Sequence, residues 1–142
     1  MNFKKLLMAS VASFAVTFSI GGLWHMKLMH DWYVAHAGAM GDISRPEPNM
    51  LFIAGGSFLL SLMMSYIYPK GVESDNKMME GLKFGVMMGI LAFMPLELIL
   101  HGATMIFSKH ALLMDGIFQA VNGGIGGIII AMVYGKDAMK TK

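Results

Sequence analysis

Cysteine is absent from the 142 residues. That absence excludes disulfides, thiolate metal sites, iron–sulfur clusters and covalently attached c-type haem, while leaving the compartment open. Charge is scarce too: charged residues make up 14% of the chain against 56% hydrophobic, with a mean hydropathy of +0.59. A soluble domain carries about 25% charged residues, so this composition belongs to an integral membrane protein with little mass outside the bilayer. The net charge is +2, yet the basic residues form no cluster interleaved with aromatics, which excludes a nucleic-acid surface. No internal repeat and no low-complexity segment occurs, beyond a recurrence of small residues every fourth position.

What is present is a set of four apolar runs of membrane length. About 20 apolar residues at a rise of about 1.5 Å cross a hydrocarbon core about 30 Å thick. Residues 6–24, 50–68, 79–101 and 110–134 meet that requirement, so the expected fold is all-α: one transmembrane domain over residues 1–142, a four-helix bundle. The first run also has the length of a secretory signal with Ser13 and Ala15 as a small cleavage pair. It continues past that pair, however, and Ala9, Ser13, Thr17 and Gly21 recur as they do on a helix packed against a neighbour, so it reads as a retained span. Residues 25–48 read as an external interfacial segment, since WHMKLMHDWY sets aromatics among charges and the Gly38, Gly41, Pro46 and Pro48 that follow stop regular structure. Asn49 is the expected cap of the second span, with Ser57, Ser61 and Ser65 along it and Pro69 ending it. A polar turn over 70–77 leads into the third span, where Gly81, Gly85 and Gly89 share one stripe and Lys83, Met87, Ile90, Met94, Glu97 and His101 another. Ser108 is the expected cap of the fourth span. Its first half aligns Asp115, Gln119 and Asn122 on a stripe running into Gly126, and its second half spaces Gly123, Gly127, Ala131 and Gly135 for close packing.

Basic residues set the expected orientation. With both termini cytoplasmic, the inside holds Lys4, Lys5, Lys70, Lys77, Lys83, Lys136, Lys140 and Lys142, against Lys27, Arg45 and Lys109 outside. The positive-inside rule favours this N-in/C-in arrangement. It puts His25, His30, His36, His101 and His110 on the external side, together with the membrane-embedded Glu97 and Asp115.

Glu97 is the residue that most needs an explanation, because an ionised carboxylate in hydrocarbon costs about 3 kcal/mol or more unless it is paired, protonated or wet. Glu97 lies four residues inside His101, and Asp115 lies five inside His110. On antiparallel neighbours joined by a short loop the two acids fall at similar depth, where they cannot both ionise cheaply. One is expected to be protonated, or both to be neutralised by a cation or a protonated histidine. The candidate site is therefore Glu97, His101 and Asp115 with His110 and His25, a donor set suited to a divalent transition metal or to a proton. The blander reading makes His101 and His110 solvated helix-end residues, with Glu97 bonded to Gln119, Asn122 or His25. No H-E-x-x-H or carboxylate-bridged E-x-x-H pair accompanies the set.

Other chemistries fare worse. Met87, Met94 and Met114 fit core filling in a chain of 17 methionines better than a copper path. Ser57, Ser61 and Ser65 lack a nearby histidine, GGIGG lacks the strand-turn-helix of a phosphate loop, and five histidines at one end cannot carry bis-His haems across a membrane.

From Gly81 to Gly135, the GLKFGVMMGI run, a Pro-broken outer end and a last helix with polar first half and glycine-rich second half resemble uncharacterised families of small four-helix bacterial membrane proteins. The resemblance implies a bundle in the bacterial inner membrane and carries over no activity or site residue. The leading functional expectation is a multi-pass inner-membrane protein binding a metal ion or proton in its outer leaflet half. Behind it stand an accessory subunit meeting partner transmembrane helices or a second copy, and an enzyme acting on a lipid or quinone.

Overall fold

The computed structural model describes residues 2–39, 43–73 and 76–135. Gly41, residues 74–75 of the polar turn and the tail from Lys136 lie outside the described residues. The described chain is helical: α1 (Phe3–Leu23) continues into a π-helical turn (Trp24–Leu28), then come α2 (His30–Ala35), α3 (Met50–Gly71), α4 (Lys77–Ala103) and α5 (Lys109–Tyr134). Four stretches, Phe3–Leu28, α3, α4 and α5, are long and apolar enough to cross a membrane.

Local chemistry accounts for the helix starts. Asn49 accepts from the Phe52 amide at 3.4 Å and Ser108 from Ala111 at 3.1 Å, as expected of these caps, and Asn2 and Asn76 do the same for α1 and α4. The expectation that Pro69 ends the second span is corrected, because α3 runs through it to Gly71. Proline removes the amide that would bond the carbonyl of Ser65 four residues back, and the Tyr134 hydroxyl donates to that carbonyl instead, at 2.9 Å. A partner helix thus supplies the missing donor. α4 likewise continues through Pro95 rather than breaking there.

The helices alternate in direction. Gly81 meets Gly127 and Gly89 meets Gln119, so α4 and α5 are antiparallel. Ser13 donates to the Gly126 carbonyl at 3.4 Å and Lys5 Nζ to that of Tyr134 at 2.9 Å, so α1 is antiparallel to α5 as well. Phe14 packs edge-on against Phe58, joining α1 to α3. Both ends of the described bundle, near Lys5 and Tyr134, therefore lie at one pole. A core of Ala9, Met64, Tyr68, Ile130, Ala131 and Tyr134 closes that pole. α3 and α4 touch little, with Tyr68 set against Phe84 at 5.3 Å between ring centroids.

The α4–α5 contact is the tightest. A Cβ on Gly81 would sit 2.6 Å from the Gly127 carbonyl oxygen and 2.7 Å from the Ala131 Cβ. One on Gly85 or Gly89 would fall on the carbonyl oxygen of Gly123 or Gln119, respectively. Nothing larger than glycine fits, which offsets the cost of about 1 kcal/mol that glycine imposes on a helix. The stripe expected to be separate is not wholly so, since Met94 places its sulfur against Gly116 of α5. This methionine fills a gap, in line with the core reading.

Two glycine substitutions should then act in opposite directions. Gly85→Ala should destabilise the bundle by about 1–3 kcal/mol through overpacking, whereas Gly55→Ala, with nothing within 4 Å of the added carbon, should be neutral or raise the melting temperature. Thermal unfolding in detergent reads both, and equal behaviour of the two would contradict this packing.

Candidate polar site at the far pole

The pole opposite the termini is built by a change of helix type. At the π turn the Met29 amide bonds the Trp24 carbonyl five residues back, at 2.8 Å. The wide turn lets consecutive rings face α5 together: Trp24 stacks on Phe118 and His25 meets it edge-on, each at 5.0 Å. The chain then bends at Met29 and runs back as α2, so the segment after the first span folds onto the bundle. It is pinned there by the Ser108 hydroxyl donating to the His36 carbonyl and by the Ala39 amide donating to Met105 at 3.2 Å. Gly38, at φ 61°, lies so close to this loop that a Cβ would stand 3.2 Å from the Ser108 nitrogen. Glycine is required here for both conformation and space.

Asp115 is the centre of the site. Its Oδ1 accepts from the Tyr33 hydroxyl at 3.3 Å and faces His25 Nε2 at 3.5 Å, and its Oδ2 accepts from Gln119 Nε2 at 3.2 Å. Trp24 Nε1 donates to the Tyr33 oxygen at 3.3 Å, extending the chain of donors by one link. These distances are at the long end of hydrogen bonding, so several modest contacts replace one strong one. Glu97 brings its carboxyl against that of Asp115, and its Oε2 is buried without a hydrogen-bond partner. Lower on the α5 stripe, Asn122 donates to the Thr17 carbonyl at 3.3 Å, so Asp115, Gln119, Asn122 and Gly126 form one polar seam directed at α1.

Of the five residues expected in the site, the structure brings three together: Glu97, Asp115 and His25. His101 turns to its own loop, with Nδ1 2.8 Å from the Phe107 carbonyl, and His110 sits beside His36 at 5.7 Å between rings. His36 stacks on Trp32 and His30 is exposed. Among the described residues no three His, Asp or Glu side chains are grouped to hold a metal ion. The alternative bonding of Glu97 to Gln119, Asn122 or His25 is replaced by its contact with Asp115, which takes Gln119 and His25 itself. The sequence marks Tyr33 and Trp24 only as interfacial aromatics. The register of a bent segment decides that Tyr33 reaches Asp115 and that Trp24 reaches Tyr33, and the one local hint is their place in an aromatic cluster that includes His25.

Burial pushes the Tyr33 hydroxyl up to about 12, and the negative charges of Asp115 and Glu97 act in the same direction, against the Trp24 hydrogen bond. Tyr33 is neutral when protonated, so a raised folded-state value stabilises the fold fully below pH 10. That contribution is lost as pH rises from 10 towards about 12. Tyr33→Phe should therefore lower stability at neutral pH, by about 1 kcal/mol for a lost hydrogen bond, and flatten the alkaline decline of the melting temperature. An unchanged alkaline slope in the variant would count against the Tyr33–Asp115 link. Comparison with family models, with curated proteins and with solved structures finds no match to this chain.

Proposed function

We propose that the chain is a bacterial inner-membrane protein with cytoplasmic termini that binds a proton between Glu97 and Asp115 at the external end of its bundle. The observation that carries this reading is the contact between two carboxyl groups inside membrane-spanning helices, one of them with a buried oxygen lacking any donor. Two carboxylates in contact there would repel across a low dielectric, and a single shared proton turns repulsion into a hydrogen bond. The donors on Asp115 assign the roles. Tyr33 and Gln119 stabilise Asp115 as the anionic partner, Glu97 holds the proton, and His25 offers it a half-exposed exchange partner, with 39% of its side chain accessible. A proton is favoured over a metal ion because His101 and His110 make their contacts elsewhere. The excess of lysine at the pole of the termini supports the orientation, with Lys4, Lys5, Lys70, Lys77 and Lys83 there against Lys27 and Lys109 at the far ends of their spans and Arg45 beyond them.

Infrared difference spectroscopy of the purified protein at neutral pH tests the proton directly. A protonated-carboxyl band is expected, and it should disappear in Glu97→Gln and Asp115→Asn. A spectrum of the unsubstituted protein without that band would sink the reading. Reporter fusions to the C-terminus test the sidedness independently, and a periplasmic signal from that end would reverse it.

A further inference from the structure

A cavity of about 770 Å³ lies between α1, α3, α4 and α5, in the half of the bundle nearer the polar site. Its wall is mainly apolar, formed by residues such as Phe18, Leu60, Phe93 and Phe118. Hydroxyls of Ser13, Thr17 and Ser57 interrupt it, and His25 and Gln119 border it as well. Its size and lining are those of a small-molecule site, in which a few polar groups orient an otherwise apolar ligand.

Three of the glycines along this wall differ from those at the helix contact. Gly81, Gly85 and Gly89 are needed because another backbone occupies the space of their Cβ. Gly21, Gly22 and Gly56 have nothing within 4 Å of that position, and all three line the cavity. Each carries the helix cost of glycine with no close approach to offset it, and each keeps the cavity wide. α3 and α4 each supply part of the wall yet touch little, so the two helices do not seal it from the surrounding lipid.

We infer that this cavity takes up a single-tailed membrane amphiphile with a neutral, hydrogen-bond-donating head, the tail lying along Gly56 and Phe93 and the head at His25 and Gln119. An apolar wall open between two lipid-facing helices selects a tail arriving from the bilayer rather than a water-borne solute. The head group follows from charge: His25 and Gln119, which border the cavity, both contact Asp115, with Glu97 behind it, so a carboxylate head would sit one residue layer from two acids. A hydroxyl head meets acceptors instead. This choice of head rests on the acid pair of the proposed proton site, whereas the cavity itself does not, and the infrared band above tests that pair separately.

Trp24 stacks on Phe118 and so reports on the wall, and Trp32→Phe leaves it as the only tryptophan. The protein in detergent is titrated with a brominated long-chain alcohol and, separately, with the brominated fatty acid of equal length. Saturable quenching of Trp24 by the alcohol is expected, weaker by about tenfold in apparent affinity for the fatty acid. Gly56→Leu fills the cavity and should abolish saturable quenching, whereas Gly55→Leu, with equal open space but outside the lining, should leave it intact. Native mass spectrometry of the chain with both tryptophans, carrying each leucine variant in turn, gives the same comparison without Trp32→Phe. Equal binding by the two leucine variants, absence of saturation, or a fatty acid bound as tightly as the alcohol would each overturn the inference.

Discussion

The contact of α4 with α5, glycine against carbonyl, is the constraint from which the other packing follows. Between helices in lipid, burial of apolar surface supplies no net drive, so association depends on van der Waals contact at close range. Gly81, Gly85 and Gly89 on one side and Gly123 and Gly127 on the other let the backbones themselves touch. This fixes an antiparallel register and commits one face of α5. An adjacent face is then free to receive α1, which it does through Ser13 and Thr17 against Gly126, a glycine whose Cβ would stand 3.0 Å from each of those side chains.

The same register explains how the two acids meet. Continuing it outward from Gly89 and Gln119 puts Phe93 level with Asp115 and Glu97 about one turn, or about 5.4 Å, further out. Side chains lean towards the N-terminus of their own helix, so on antiparallel helices Glu97 leans inward and Asp115 outward, which closes the offset. The glycine contact and the carboxyl contact are therefore consequences of one helix pairing. Tyr33, Trp24 and His25 complete the site because the π turn and the bend at Met29 fold the segment after the first span back over it.

The cavity arises where this pairing leaves the bundle incomplete. α5 contacts α4, α1 and α3, but α3 and α4 have no matching small-residue faces and meet near the pole of the termini, where Tyr68 reaches Phe84. Towards the polar site they diverge around a space bordered by glycines. The chain thus has two kinds of glycine: some bring backbones together and some leave room.

Spans, the caps Asn49 and Ser108, and the packing role of Gly81, Gly85, Gly89, Gly123 and Gly127 were legible in the sequence, because length, hydropathy and Cβ size act locally or along one helix, whereas Gly21 and Gly135, spaced in the same way, meet no neighbouring backbone. The meeting of Glu97 and Asp115 was legible only in part: a short loop between antiparallel helices leaves little freedom of register, but that register sets the two residues about one turn apart rather than at equal depth, and the lean of the side chains closes the gap. The end of α3 was not legible, because whether Pro69 stops a helix depends on whether a donor reaches the Ser65 carbonyl, and that donor is Tyr134, 69 residues away. Membership of the site was only partly legible for the same reason: helical periodicity assigns residues to faces, but the contacts between faces depend on rotation and bending of whole elements. His101 and His110 share the pole away from the termini with Glu97 and Asp115 yet turn to Phe107 and His36, while Tyr33 arrives from a segment whose sequence marks only an interface. Gly21 and Gly85 both belong to period-four rows of small residues, and only the position of the neighbouring backbone makes one a border of a cavity and the other a point of contact.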